Sequence, residues 1–304
     1  MDQFPNKSVR SDEADARAGE EVSLKPGLYL VSTPVGNLRD ITLRALDVLR
    51  SADLVLCEDT RRTSKLLNSF GLKAPLKVYD DHSQSRDRQT CIGHIEKGQS
   101  VALVSDAGTP LVSDPGYKLV RDCLKKDIAV IPVPGANAIL PALQLSGFGP
   151  DKFCFMGFAP AKEQARRKYL QACEDLGMPV LFYETANRLE DFLRSCREIL
   201  GDREISVSRE ITKIYEQTRR GTIDSLLDDI KQGKLSLKGE MVVVIAPGQQ
   251  QDLDAQAIKQ RLRQHMEEGR SLKQAAKDVA DMCDWKKSDI YDLALEVKNE
   301  TEKT

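Results

Sequence analysis

Short runs of apolar residues alternate with longer amphipathic runs over most of this 304-residue chain. Apolar runs such as 27–33 and 101–105 have the length and composition of buried strands, whereas a run such as 40–50 repeats its apolar residues at helical spacing. A succession of strand, helix and strand requires a parallel sheet that helices cover on both faces. The pattern therefore predicts an α/β protein.

The same alternation predicts two α/β domains followed by a helical segment. A linker-like stretch at 146–151 (SGFGPD) separates the two alternating regions, and no strand candidate follows Pro247. The last segment is predicted to contain helices only. Within it, residues 271–297 predict two helices around a turn at 284–287, either a helix-turn-helix that binds nucleic acid or a small helical cap. The predicted divisions are a disordered leader over 1–26, an N-terminal domain over 27–148, a second domain over 149–247 and a helical extension over 248–304.

Three local patterns bear on individual helices. Asp40 precedes an apolar-periodic run and is predicted to be the N-cap of its helix. A helix over 135–147 is expected to close the first domain, with a kink or a restart at Pro141. The basic run Arg166, Arg167 and Lys168 lies on a predicted helix, either as a solvated face or as a patch for RNA.

Composition limits the classes of partner and site. Proteins that bind nucleic acid through their overall charge are normally basic, whereas this chain has a net charge of −2. Binding to RNA would therefore require a local basic patch, or an RNA that is already folded on a larger particle. The seven cysteines form no CxxC pair and the three histidines lack ligand spacing, so we expect no metal. Neither a signal sequence nor an apolar run of about 18 residues is present, which favours a cytoplasmic protein without a membrane span.

Loops rich in Gly and Pro follow the predicted strands, at 33–38 (TPVGNL), 105–110 (SDAGTP) and 132–137 (PVPGAN). The GxGxxG and GxxxxGK[ST] fingerprints of dinucleotide and P-loop sites are missing. Ligands of parallel α/β sheets bind outside the carboxyl ends of the strands, where small residues let the backbone approach. Asp106 stands out, because a carboxylate just past an apolar strand needs a partner or a ligand. S-adenosylmethionine suits such loops, since its sulfonium favours nearby oxygens.

Six short motifs occur in one order along the chain and together indicate a family. They are TPVGNL at 33–38, CEDTR at 57–61, SDAGTP at 105–110, DPGY at 114–117, FYE at 182–184 and REITK at 209–213. In this order they resemble the tetrapyrrole methylase superfamily, and within it the members that act on ribosomal RNA. Porphyrin and corrin methylases resemble one another in a GxGPGD loop after the first strand, where this chain has TPVGNL.

The resemblance implies a fold and a reaction. It implies a two-domain tetrapyrrole-methylase-like fold, with a parallel-sheet N-terminal domain, a mixed-sheet second domain, a cofactor cleft between them and a homodimeric assembly. The implied enzyme is an S-adenosylmethionine-dependent methyltransferase that modifies a cytidine 2′-oxygen of small-subunit (16S) ribosomal RNA near the decoding centre. The implied cofactor residues are Pro34, Gly36, Asp106, Ala107, Gly108, Thr109, Ala136, Asn137, Ala138 and Tyr183, and Arg61 and Arg209 are expected to contact RNA phosphate.

A ribose hydroxyl is a poor nucleophile, so the reaction requires a base or a group that stabilises charge. The candidates are Glu58, Asp59, His82 and Lys213. Glu58 and Asp59 follow a predicted strand directly, where they either line the site or cap the helix that begins near Thr60. In the segment 81–84 the RNA enzymes commonly have a His-Asn-Glu-like sequence, of which only His82 is present here.

Two other functions stay open at this point. The first is a methyltransferase for a tetrapyrrole or another small molecule, which would share the fold and the cofactor and would need a large apolar cleft. The second is a non-enzymatic nucleic-acid-binding protein that uses its tail as a helix-turn-helix and does not bind S-adenosylmethionine. A basic rim around the site would favour RNA over the small-molecule substrate, whereas the non-enzymatic protein would bind DNA or RNA through its tail alone.

Overall fold

The computed structural model describes residues 22–80, 85–174, 176–248, 254–280, 283 and 285–301. The chain divides into two compact units, and the division falls between Ala138 and Ile139. Most of the predicted leader, and His82, lie outside the described residues. The predicted domain limits remain predictions, and the two units are described separately below.

The first unit alternates strands and helices, as its sequence predicts. Its elements are β1 (Gly27–Val31), α1 (Leu43–Ser51), β2 (Leu54–Cys57), α2 (Thr60–Ser69), β3 (Leu76–Val78), α3 (Ser85–Glu96), β4 (Ser100–Val104), α4 (Tyr117–Leu124) and β5 (Val130–Val133). The strands form one sheet in the order β3-β2-β4-β1-β5, and every pairing in it is parallel.

Helices cover both faces of this parallel sheet. Because successive side chains of a strand point to opposite faces, Val101 and Leu103 of β4 join the cluster that contains α3 and α4. Ala102 and Val104 of the same strand join the cluster that contains α1 and α2. Because these strands are buried on both faces, their sequences are continuous apolar runs. The prediction of an α/β fold is confirmed.

The second unit combines a mixed sheet with helices. Its elements are α5 (Ile139–Ser146), β6 (Cys154–Phe158), α6 (Glu163–Gln171), β7 (Val180–Thr185), α7 (Leu189–Leu200), β8 (Glu204–Arg209), β9 (Gln217–Thr222), α8 (Ile223–Lys231), β10 (Glu240–Ile245), α9 (Ala255–Glu267), α10 (Leu272–Ala280) and α11 (Lys287–Thr301). The strand order is β6-β7-β10-β8-β9. Only β6 and β7 pair in parallel, and the other neighbours are antiparallel.

One face of the mixed sheet packs against α6, α7 and α8 around buried residues such as Phe182, Phe192 and Val243. Helix α5 packs against β8 and β10. This helix therefore belongs to the second unit, whereas the sequence suggested that it closes the first. Pro141 lies in the first turn of α5, where a missing N–H costs no helical hydrogen bond, so the helix begins at Ile139 and is not restarted.

Two local predictions need correction. Asp40 lies in a short 3-10 turn, and the N-cap of α1 is Thr42, whose side chain accepts a hydrogen bond from the N–H of Ala45 at 3.1 Å. Strand β9 has the polar sequence QTRRGT and was not predicted. It lies at the edge of its sheet and pairs only with β8, so no apolar face is required of it.

The described part of the C-terminal extension contains three helices and no strand, and α10 and α11 are the two helices that the sequence predicts within 271–297. A separate apolar cluster joins the three helices, with Ile258 and Leu262 from α9, Val279 from α10, and Ile290 and Ala294 from α11. Among the described residues, no helix is both long enough and apolar enough to cross a membrane.

Candidate active site

The loops that follow β1 and β4 are joined at the carboxyl edge of the parallel sheet. Thr33 donates its backbone N–H to the carbonyl of Gly108 at 2.8 Å, and Gly108 donates its own to the carbonyl of Thr33 at 3.0 Å. The Thr33 hydroxyl donates to the carbonyl of Ser105 at 3.1 Å. These bonds fix the TPVGNL and SDAGTP motifs against each other, at the edge where parallel α/β sheets bind ligands.

The loop after β5 joins the same group. Thr109 donates its hydroxyl to the carbonyl of Ala136 at 3.2 Å, and its Oγ1 lies 3.2 Å from the Oγ of Ser32. Three loops from three strands are thus held together through one threonine. Among the predicted cofactor residues of this unit, Gly108 is buried, Gly36 and Ala107 are exposed, and Pro34, Asp106, Thr109, Ala136, Asn137 and Ala138 are half-buried.

Gly108 carries the conformation that this junction requires. Its φ is +84°, a region that residues with a Cβ rarely adopt. A Cβ added there would lie 3.4 Å from Cγ1 of Val35 in the neighbouring loop. Leu111 and Ser113, a few residues further on, also have positive φ values of 73° and 67°. Such strained residues concentrate at functional sites, where the surrounding structure maintains them.

Asp106 connects the β4 loop to the turn after β2. Its Oδ1 accepts a hydrogen bond from the backbone N–H of Asp59 at 3.3 Å, and its Oδ2 lies 3.2 Å from Nη1 of Arg62. The Asp106 carboxylate is half-buried while the Arg62 side chain is largely exposed. A carboxylate held in this way can accept hydrogen bonds from a hydroxyl or attract a cation, and an exposed arginine is easily displaced from it.

Asp59 caps helix α2. Its Oδ1 accepts from the N–H of Arg61 at 2.8 Å, and its Oδ2 accepts from Nη2 of Arg61 at 2.7 Å. The hydrogen bonds from the Arg61 side chain and backbone lower the pKa of Asp59 to about 2. Of the two interpretations that the sequence left open, the structure favours the cap, because a carboxylate with so low a pKa is a weak base. Glu58 is half-buried.

Lys213 lies in the loop between β8 and β9 of the second unit. Its Nζ donates to Oε1 of Glu210 at 2.9 Å and to Oε2 of Glu240 at 3.0 Å. Partial burial lowers the pKa of Lys213, but its hydrogen bonds to the two carboxylates outweigh that effect and the net pKa is raised. The side chain is therefore an ammonium at neutral pH, suited to stabilising negative charge and unsuited to accepting a proton.

Arg209 and Arg61 were both expected to contact RNA phosphate, and the structure places them differently. Arg209 is only 9% exposed, and its guanidinium donates to the carbonyls of Lys238 at 3.1 Å and Tyr215 at 3.0 Å. These bonds indicate that Arg209 supports the loop. The side chain of Arg61 is 89% exposed and remains accessible to a phosphate.

Tyr183, a predicted cofactor residue, stands on β7 beside two aromatic residues of β6. Its ring centroid lies 4.9 Å from that of Phe155 and 5.5 Å from that of Phe158. The sequence reasoning did not single out these two phenylalanines. Their spacing in FCFMGF predicted a strand, but it carried no indication that they meet a residue of another motif.

The basic run at 166–168 does not form one face. Arg166 is buried, with hydrogen bonds from Nε to the Ser195 hydroxyl and from Nη1 to the carbonyl of Ala161. Arg167 forms ion pairs with Glu163 and Glu198 on the surface. The patch for RNA that the run suggested is therefore not present as a unit.

Within the described residues, no group of three or more His, Cys, Asp or Glu side chains could hold a metal ion.

Two family models match this chain, one over most of the two α/β regions and one over the C-terminal helices. Residues 27–227 match the family described as Tetrapyrrole (Corrin/Porphyrin) Methylases, and residues 251–298 match the RsmI C-terminal HTH domain. The chain is 42% identical over 272 residues to the ribosomal RNA small subunit methyltransferase I of Escherichia coli O157:H7, an alignment that covers 88% of this chain and 94% of the relative. The relative of the same name from Rickettsia prowazekii is 46% identical over 223 residues, covering 73% of this chain and 79% of the relative.

Solved structures resemble this one in fold. The methyltransferase CobJ superposes with a TM-score of 0.54 at 15% identity, covering 73% of this chain and 94% of CobJ. The cobalt precorrin-4 methyltransferase CbiF superposes with a TM-score of 0.53 at 16% identity, covering 72% of this chain and 94% of CbiF. At such low identity the likeness establishes the arrangement of strands and helices and nothing further about substrate.

Proposed function

This chain belongs to the tetrapyrrole methylase family, and from that premise we propose that it is an S-adenosylmethionine-dependent methyltransferase that modifies a cytidine 2′-oxygen of small-subunit (16S) ribosomal RNA near the decoding centre. The observation that carries the proposal is the set of joined loops at the carboxyl edge of the first sheet, in a chain whose relatives of similar length are named for small-subunit ribosomal RNA. The C-terminal match to the RsmI domain supports the same choice.

The residues present suit the cofactor. Backbone groups of Pro34, Gly36 and Ala107–Thr109, together with Ala136–Ala138, would receive the adenosine and methionine parts, and Tyr183 would add an aromatic contact. Gly108 supports this assignment indirectly, because its positive φ and missing Cβ let the β1, β4 and β5 loops approach one another and bring their backbone groups together. The Asp106 carboxylate supplies the oxygens that a ribose hydroxyl or a sulfonium favours. When bound, S-adenosylmethionine supplies the methyl group.

The contribution of the protein to methyl transfer is mainly positioning, because an in-line displacement depends on the alignment of donor and acceptor. We assign proton acceptance from the ribose hydroxyl to Glu58 or His82, and stabilisation of negative charge to Lys213, whose pKa is raised. The side chain of Asp59 caps the start of α2, and this cap fixes the backbone N–H of Asp59 that donates to the Asp106 carboxylate. Arg61 is the exposed arginine that we assign to an RNA phosphate.

We further propose that the enzyme acts in the cytoplasm, where ribosomal RNA is modified, as a homodimer and without a metal. Its RNA partner is the small-subunit RNA, either free or within the assembled subunit.

The test is transfer of a radiolabelled methyl group from S-adenosylmethionine to small ribosomal subunits from a strain that lacks this gene. We expect label in a single cytidine 2′-oxygen and loss of label with Asp106→Ala. The matched control is Asp122→Ala, which removes an aspartate of the same unit that pairs with Arg88 and belongs to α4, not to the joined loops. Cofactor binding without RNA label would favour the small-molecule methyltransferase, and absence of both binding and transfer would contradict an enzyme of this class.

A further inference from the structure

The loop between β8 and β9 exposes two large hydrophobic side chains at its tip. Ile214 is 95% exposed and Tyr215 is 72% exposed, the highest values for large hydrophobic residues in the described part of the chain. Exposed apolar side chains that adjoin one another commonly mark an interaction surface. We refer to residues 210–216 as the tip loop.

The tip loop is held in one shape by buried and half-buried groups. The Arg209 guanidinium donates to the carbonyl of Tyr215, and the ammonium of Lys213 is fixed between Glu210 and Glu240. The backbone N–H of Thr212 donates to Oε2 of Glu216 at 2.6 Å. Each end of the loop is therefore anchored, so the exposed side chains are presented in advance of binding and lose little conformational freedom when they bind.

The surroundings of the tip loop are positively charged. Segments 209–220 and 234–240 carry six lysine or arginine residues and three glutamates, and Asp229 forms ion pairs with Arg219 and Lys234. Six positive and four negative side chains leave a local excess of two positive charges, although the whole chain has a net charge of −2. Because Arg209 also donates to the carbonyl of Lys238, the exposed residue Lys238 stands on a segment that adjoins Tyr215. This is the local basic patch that a chain of negative net charge needs in order to bind RNA.

We propose that the tip loop is a docking surface for RNA, on which Tyr215 stacks against an unpaired base of the substrate while Lys238 faces its phosphates. Unpaired bases of RNA are recognised by stacking on aromatic side chains, and lysines beside them neutralise the backbone. A second copy of this chain fits less well, because a symmetric contact around this surface would bring two positive patches together. The inference rests on the proposed function, since it assumes that RNA is the substrate.

The test compares Tyr215→Ala, Tyr215→Phe and Tyr291→Ala in the full-length protein. Tyr291 is an exposed tyrosine on α11 and serves as the matched control. We would measure KM and kcat for small ribosomal subunits, KM for S-adenosylmethionine, co-sedimentation with the subunits, thermal stability, and oligomeric state by light scattering.

Tyr215→Ala is expected to raise KM for the subunits by roughly 5- to 150-fold and to weaken co-sedimentation equally, because one stacking contact is lost. Its kcat, its KM for the cofactor and its thermal stability should match the wild type, and Tyr215→Phe should retain affinity. An unchanged KM and unchanged co-sedimentation with Tyr215→Ala would overturn the proposal, as would conversion of a dimer to a monomer. If the wild-type protein transfers no methyl group, the proposed function fails, and co-sedimentation still decides whether Tyr215 contacts the subunit.

Discussion

Gly239 lies against Glu210 so closely that a Cβ on Gly239 would be 2.5 Å from the Glu210 Cδ. The φ of Gly239 is +87°, which also favours glycine. In the same place Glu210 Oε1 accepts hydrogen bonds from Nζ of Lys213 and from the backbone N–H of Glu240. The absence of a side chain at Gly239 therefore permits the arrangement that fixes Lys213 and the tip loop.

We expect Gly239→Ala to displace the Glu210 carboxylate and to lower both the free energy of unfolding and the activity. The matched control is Gly233→Ala, whose φ is +69° but whose Cβ would meet nothing within 4 Å. Backbone strain alone costs about 1–2 kcal/mol in either variant, so chemical denaturation should show a larger loss for Gly239→Ala. If the two variants lose equal free energy of unfolding, the contact between the Gly239 position and Glu210 does not contribute to stability.

Gly108→Ala is expected to weaken the binding of S-adenosylmethionine. The substitution strains a backbone with a φ of +84° and places a Cβ 3.4 Å from Cγ1 of Val35. Gly98→Ala, with a φ of +88° and nothing within 4 Å of its Cβ, controls for strain in the same unit. Isothermal titration calorimetry should give a Kd that rises at least about tenfold, or about 1.4 kcal/mol, for Gly108→Ala alone. Equal affinities in the two variants would argue against cofactor binding at this loop.

Asp59 should make stability depend on pH at the acid end. Its pKa is lowered from 3.8 to about 2 by its hydrogen bonds to Arg61. A lowered pKa contributes stability that is fully present above pH 3.8 and is lost as the pH falls towards 2. Asparagine is also a good N-cap and does not titrate, so Asp59→Asn should keep the helix start while removing this dependence. The measurement is the free energy of unfolding between pH 4 and pH 2, and identical slopes for the two proteins would contradict the prediction.

Arg209 and Arg61 should respond to alanine in opposite ways. Arg209→Ala removes two part-buried hydrogen bonds, to the carbonyls of Lys238 and Tyr215, so the free energy of unfolding should fall by about 1–3 kcal/mol. Arg61→Ala should barely change stability, because the pair with Asp59 is exposed, but it should weaken RNA binding and reduce its salt dependence. Urea unfolding measures the stability of both variants, and RNA binding at several salt concentrations measures the salt dependence of the affinity. If Arg61→Ala leaves that salt dependence unchanged, Arg61 does not contact an RNA phosphate.

Much of the fold followed from the sequence because local patterns reflect burial. The apolar runs at β1, β2 and β4 are buried on both faces, and that burial is why they could be recognised. The loops that follow β1, β4 and β5 were predicted to meet, because parallel strands end at one edge of a sheet. Strand β9 was missed because an edge strand needs no apolar pattern.

The sequence alone determined the α/β class, the positions of the loops and the family resemblance, since each depends on residues close together in the chain or on their order. The tertiary structure decided the role of each charged side chain. The guanidinium of Arg209 is buried where it meets the carbonyl of Lys238, and Glu240 adds to the effect of the nearby Glu210 in raising the pKa of Lys213. Lys238 and Glu240 stand 29 and 27 positions away along the chain from the side chains that they contact. The burial and pKa of a charged group depend on such partners, which only the folded chain brings together.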